Sequence, residues 1–207
     1  VCGAVELDSE KQKFSYAIGV NLGNLLKAQG ISEVDSGAFS SGLNDVLMDK
    51  PLQLDVATMK QALENQQKQL VMKAQQAAQQ KKQLGQDFLE KNKSAKGVNV
   101  MESGLQYIEL KAGDGKQPAA TDTVTVHYHG TLIDGTVFDS SVERGEPASF
   151  ALDRVIPGFR ESITHMKTGA KWRVFVPSDL GYGERGAGGT IGPNETLIFE
   201  IELLGIN

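Results

Sequence analysis

Cysteine is nearly absent. Cys2 is the sole one in 207 residues, so no internal disulfide can form and no cysteine cage can hold a metal. Arginine is missing from the first 96 residues, whose positive charge is all lysine. No stretch approaches the roughly 18–20 consecutive apolar residues of a helical membrane span, so no integral membrane segment is expected. An excess of positive charge is lacking too. The net charge of −5 and pI near 5.3 argue against nucleic-acid binding by phosphate neutralisation. What remains, 40% apolar and 23% charged residues, is ordinary globular material for one large domain or two modest ones. The chain opens Val1-Cys2-Gly3-Ala4 without methionine. Small residues at Cys2 and Ala4 suit the positions before a signal-peptidase cut and read as the tail of an export signal, with an arbitrary chain boundary as the alternative.

The composition changes near Lys96. Residues 1–96 hold 11 acids and 12 lysines, net +1, whereas residues 97–207 hold 15 acids and 9 bases, net −6. Nine of 13 aromatics, 16 of 23 glycines and five of six prolines fall in the second part. A helical first half and a second half of strands and turns follow.

Phe14, Ala17, Ile18, Asn21, Leu22, Leu25 and Leu26 recur at helical spacing behind an Asp8 or Ser9 cap, and Gly30 stops the segment. Gly19 and Gly23, four apart, leave room for another helix to approach. A second helix is expected behind Asp35 or Ser36, with Phe39, Leu43, Val46 and Leu47 on one face, ending near Lys50-Pro51. Two such short helices cannot bury both apolar faces against each other, so residues 1–54 read as an all-α dimerisation module. Packing onto the C-terminal domain is the alternative. Residues 55–96 read as one long connecting helix, capped by Asp55 and stopped by Gly97. Its Gln/Lys/Ala-rich middle, Lys73 to Gln83, has high helix propensity and little to bury. That suits a solvated rod bending at Gly85, or a disordered Gln-rich linker.

From Gly97 the period becomes two. Val124, Val126 and Tyr128 alternate with Thr125, His127 and His129, and Trp172, Val174 and Val176 alternate with Lys171, Arg173 and Phe175. Leu197, Phe199, Ile201 and Leu203 alternate with Glu200 and Glu202, and Leu105 to Leu110 forms another strand. One short helix, about Gly158 to Met166, interrupts them. The expected fold is α+β: residues 97–207 as an antiparallel sheet around one helix.

Several motifs are weak. Gly181-Tyr182-Gly183-Glu184-Arg185-Gly186 matches GxGxxG, but Ala187-Gly188-Gly189 and Gly192-Pro193 cannot continue as the helix that a dinucleotide site requires. A flexible glycine-rich loop fits better. His127 and His129 could form half a metal site, yet a surface pair is the commoner outcome. Asn92-Lys93-Ser94 and Asn194-Glu195-Thr196 match the glycosylation triplet, which arises often by chance. More informative is the density of Phe138, Phe150, Val155, Ile156, Phe159, Tyr182 and Ile191 beside turns, where binding pockets form.

Five ordered segments, Val126-His127-Tyr128-His129-Gly130, Asp134 to Ser141, Val155-Ile156-Pro157-Gly158-Phe159, Pro177 to Gly183 and Thr196 to Leu204, together resemble the FKBP-type peptidyl-prolyl isomerases. Phe14 to Gly19 with Leu22-Gly23, Ser103 to Tyr107 and Ile191-Gly192-Pro193-Asn194-Glu195-Thr196 are similar to the bacterial Mip-like subgroup, so the likeness covers nearly the whole chain. It implies an apolar cleft between sheet and helix that takes a proline ring. Phe159 would form its floor, where the family usually has tryptophan, and Tyr128, Phe138, Phe150, Val155 and Phe199 its walls. Tyr182 and the Ile156 N–H would bond substrate carbonyls, Asp139 would sit beside the twisting amide, and Ile191 would close over it. Tyr128, Asp139 and Tyr182 are thus the implied catalytic residues. Asp139 could instead only bond backbone N–H groups at its turn. Trp172 is expected in the core.

The resemblance further implies no metal and no cofactor. Its implied partners are proline-containing unfolded or partly folded proteins and macrolides of the FK506 or rapamycin type. It points to a V-shaped homodimer through residues 1–54 with chaperone activity, exported to the periplasm or outer membrane, with cytoplasm as the alternative. A holdase-type chaperone, or an interaction module with a cleft that only binds, is the competing function.

Overall fold

The computed structural model describes residues 6–207, so the export-signal reading of Val1–Ala4 lies outside the described residues. The chain divides into two compact units, Val1–Ala74 and Gln75–Asn207.

Three helices open the chain: α1 (Glu10–Ala28), α2 (Ser36–Leu47) and α3 (Val56–Asn92). Each has a side-chain cap for its free N–H groups. Ser9 and Gln12 form a reciprocal capping box on α1, the Asp35 carboxylate accepts from the Ala38 N–H at 2.7 Å, and Asp55 accepts from the Thr58 N–H at 2.7 Å. Gly30 ends the first segment in the left-handed region at φ 79°, which glycine adopts without a Cβ clash. Within the first unit, α1 and α2 bury no residue.

The third helix departs from expectation. It runs unbroken through the Gln-rich middle and ends at Asn92, short of Gly97. The helix continues through Gly85, its one buried residue, and a Cβ there would overlap the Thr196 hydroxyl, so glycine permits close contact. Nor is the middle wholly solvated. From Gln75 onward the helix belongs to the second unit, where Lys81 pairs with Glu195 at 2.9 Å, Lys82 with Asp179 at 3.2 Å, and the Ala78 carbonyl accepts from the Asn194 amide at 3.1 Å.

The second unit carries a seven-stranded antiparallel sheet: β1 (Asn99–Val100), β2 (Gln106–Lys111), β3 (Thr123–Leu132), β4 (Val137–Ser140), β5 (Ala148–Ala151), β6 (Lys171–Val176) and β7 (Leu197–Ile206). The order is β1-β2-β6-β7-β3-β4, and β5 also pairs with β3. The expected alternation is present: Val124, Val126, Tyr128, Gly130 and Leu132 are buried, while the residues between them are half-buried. On β7, Leu197, Phe199, Ile201 and Leu203 face the same core. Strand β2 starts one residue later than the pattern suggests, though Leu105 is still buried. Helix α5 (Pro157–His165) packs against the sheet, where a Cβ on Gly158 would lie 2.5 Å from Val176. Trp172 is in the core, stacked on Tyr107 with ring centroids 4.0 Å apart. Phe175 points the other way and is still buried, because Phe88 of α3 packs on it at 5.8 Å.

Candidate active site

The concave side of this sheet, α5 and the loops after β5 and β6 enclose a cavity of about 400 Å³. Its lining includes all ten residues singled out from the sequence. Phe159, on the first turn of α5, is 5% exposed and meets three rings edge-on: Phe199 at 5.3 Å, Phe150 at 5.8 Å and Tyr128 at 6.0 Å. Phe138 of β4 packs edge-on against Phe199 at 5.4 Å. Gly130 makes room for that pair, since a Cβ there would lie 2.6 Å from the Phe138 ring. Edge-to-face packing locks the rings against one another and preserves an apolar hollow.

Val155 and Ile156 come from the segment joining a 3-10 turn, Leu152–Arg154, to α5. Leu152 is fully buried and its N–H donates to the Asp122 carbonyl at 3.0 Å, which fixes this segment. Among the described residues no acceptor takes the Ile156 N–H. The hydroxyl of Tyr182, which is 40% exposed, likewise has no hydrogen-bond partner among the described residues. The cavity rim therefore holds two free donors. Ile191 sits on a small hairpin in which it exchanges two backbone hydrogen bonds with Ala187, at 2.8 and 3.0 Å. Gly188 and Gly189, at φ 63° and 76°, turn the chain between them. The glycine-rich segment thus forms a hairpin here, and the GxGxxG stretch holds one 3-10 turn, Gly183–Arg185, and no α-helix.

Asp139 lies on β4, and its carboxylate is held by more than the neighbouring Ser140 backbone N–H. It accepts from the Tyr128 hydroxyl and from the Arg144 guanidinium, which also donates to the Tyr128 oxygen at 3.0 Å. Burial alone would raise the Asp139 pKa, but these hydrogen bonds and the Arg144 charge outweigh it and hold the carboxyl below its usual range. Burial, then the bond to Asp139, pushes the Tyr128 phenol up. At neutral pH the group is a fixed carboxylate, a neutral phenol and a guanidinium. Arg144 has no motif of its own in the sequence. It gains meaning only when the four-residue helix α4 (Ser141–Arg144), capped by Ser140, folds it back onto Asp139. Arg154, Ala187, Gly188 and Thr190 also line the cavity without having been singled out.

The weak motifs find other places. His127 and His129 face away from the cavity, with Nδ1 3.1 Å from Ser141 Oγ and 2.9 Å from Ser140 Oγ. No group of three or more His, Cys, Asp or Glu that could hold a metal occurs among the described residues. Asn194 is 4% exposed and Asn92 donates to Gln106 at 2.8 Å, so neither glycosylation triplet presents a free amide.

Comparison with known proteins bears on this geometry. Residues 114–204 match the family model described as "FKBP-type peptidyl-prolyl cis-trans isomerase", and residues 11–108 match "Domain amino terminal to FKBP-type peptidyl-prolyl isomerase". The chain is 46% identical to "Outer membrane protein MIP" of Legionella longbeachae, over 98% of this chain and 88% of that protein. It is 44% identical to the "FKBP-type 22 kDa peptidyl-prolyl cis-trans isomerase" of Escherichia coli K12, over 96% of this chain and 97% of that one. Among solved structures, FkpA from Escherichia coli matches with a TM-score of 0.78 at 36% identity, covering 98% of this chain and 99% of that one.

Proposed function

This chain belongs to the FKBP-type peptidyl-prolyl cis-trans isomerases, and from that membership we propose how its cavity lowers the barrier to rotating an X-Pro bond. Twisting a peptide bond costs about 18–20 kcal/mol because it removes C–N resonance. The planar amide is the more polar form, so an apolar hollow disfavours it relative to the twisted one. The proline ring sits on Phe159 between Tyr128, Phe138, Phe150, Val155 and Phe199, under Ile191. The Ile156 N–H and the Tyr182 hydroxyl bond the flanking carbonyls and favour the bent geometry. Asp139 lies beside the amide as a fixed charge, not as a proton donor. No bond is made to the enzyme, and each 1.36 kcal/mol of preferential binding to the twisted amide gives about tenfold in rate.

The observation that carries this reading is the aromatic-lined cavity of about 400 Å³ with two free donors at its rim. Phe159, where tryptophan is usual, keeps the floor apolar but supplies no indole N–H, which affects substrate preference and macrolide affinity more than turnover. The test is turnover of a Leu-Pro tetrapeptide by Asp139→Ala, checked for intact fold by circular dichroism. A loss of about tenfold is expected, and unchanged turnover removes Asp139 from the mechanism.

Residues 1–54 pair with a second copy, giving a V-shaped homodimer that grips unfolded, proline-containing clients. The support is the exposure of Phe14, Val46 and Leu47, each more than 60% exposed within the chain. Sedimentation of the intact chain tests the pairing. Comparing it with residues 75–207 tests the division of labour: equal turnover on a tetrapeptide, with a large loss on refolding a protein client, is expected. Turnover absent in both would favour a chaperone or interaction module whose cleft only binds. The cavity is also where macrolides of the FK506 or rapamycin type would sit. The name of the Legionella relative, an outer membrane protein, supports export to the periplasm or outer membrane rather than the cytoplasm. Among the described residues no helix is long and apolar enough to cross a membrane. Cell fractionation decides the compartment.

A further inference from the structure

Two charged side chains of opposite sign, Asp139 and Arg154, line the cavity, and they differ in one respect. Asp139 is already compensated by Arg144 and Tyr128. Arg154 is exposed and enters no ion pair or side-chain hydrogen bond among the described residues. It ends the 3-10 turn anchored by buried Leu152 and directly precedes Val155 and Ile156 on the cavity wall. Its backbone is therefore fixed beside the site, while its guanidinium has no partner of its own.

We propose that Arg154 selects substrates carrying an acidic side chain next to the proline. This rests on the isomerase reading of the cavity given above. The surrounding sequence makes the assignment specific. Residues 97–207 carry a net charge of −6, and that diffuse field would by itself favour basic clients. Beyond about 8 Å the field is largely screened at physiological salt, whereas a carboxylate within ion-pair distance of a guanidinium is not. Arg154 therefore sets the preference at the proline itself, against the sign of its own domain. A guanidinium also offers a planar fork of donors that fits a carboxylate.

The test uses the full-length protein and two peptide series, Ala-X-Pro-Phe and Ala-Leu-Pro-X, with X as Glu, Gln or Lys. The cis–trans exchange is followed by NMR. In at least one series kcat/KM should fall in the order Glu, Gln, Lys, with about two- to fivefold between the ends, as for an exposed ion pair. Arg154→Gln should abolish the order, so that the Glu, Gln and Lys peptides of a series no longer rank by charge, and Arg154→Glu should reverse it. The preference should also shrink at 0.5 M salt. No charge order in either series, or an order that persists in Arg154→Gln, overturns the proposal and leaves the isomerase reading intact. No acceleration of any peptide overturns both.

Discussion

In the first unit α1 and α2 bury no residue, and Phe14, Val46 and Leu47 remain mostly exposed; in the second, alternate residues from Val124 to Leu132 on β3 and from Leu197 to Leu203 on β7 are buried. Glycine shows the same contrast. Gly19 and Gly23 have nothing within 4 Å of where a Cβ would sit, whereas Gly85, Gly130 and Gly158 each sit where a Cβ would strike a neighbour. The second unit is a closed packing problem whose aromatic hollow is kept open by rings locked edge to face. The first keeps large apolar side chains exposed among its described residues.

The comparison is broken most severely by moving the boundary between the units. Residues 75–207 retain the end of α3 that covers Phe175 and Thr196, and residues 97–207 do not. The shorter piece should be less stable by about 3 kcal/mol or more, with Tm lower by roughly 10–20 °C. Equal Tm values for the two pieces would show that the α3 contacts contribute nothing. On a smaller scale, Gly85→Val should cost about 1–3 kcal/mol through overlap with Thr196, read from urea unfolding. Gly23→Ala, by contrast, gains up to about 1 kcal/mol of helix propensity in a lone chain. If residues 1–54 pair closely, it should instead weaken the dimer in sedimentation.

Within the cavity the effects are smaller. Tyr182→Phe should weaken binding of an FK506-type macrolide by about 1 kcal/mol, roughly fivefold, measured by calorimetry. The pH dependence should be smaller still across the neutral range. Because Asp139 is held below the ordinary carboxyl value of about 3.9, its contribution to stability is complete above that value. It is lost only as pH falls through the lower folded value. Tyr128, raised above its usual value of about 10, stays neutral. Activity should therefore be flat from about pH 5 to 8. A step in that window not shared by substrate or fold would contradict the assignment of a fixed carboxylate.

Much of this was legible from residues alone. Period-two alternation marked the inward faces of β3, β6 and β7, and aromatic and branched apolar residues beside turns marked seven of the ten cavity-lining residues singled out from the sequence, whereas Tyr128, Asp139 and Phe199 came from the family resemblance. What stayed hidden depends on contacts distant in sequence. Gly85 reads as a weak point in a helix until Thr196, more than 100 residues later, arrives against it. Phe175 breaks the inside-outside alternation because Phe88 covers it. Arg144 becomes part of the site only through a four-residue helix too short to leave a periodic signal. The Gln/Lys/Ala segment has no apolar side chain larger than alanine, so its docking, made by ion pairs and one amide to a carbonyl, has no hydrophobic signature.

The central claim is that a shaped, apolar hollow rotates the prolyl bond without moving a proton. The solvent isotope effect on kcat/KM for a Leu-Pro tetrapeptide tests it most directly. The account predicts equal rates in H2O and D2O once the uncatalysed reaction is subtracted. A rate about two- to threefold slower in D2O would mean that Tyr128, Asp139 or Tyr182 transfers a proton in the transition state, and would contradict it.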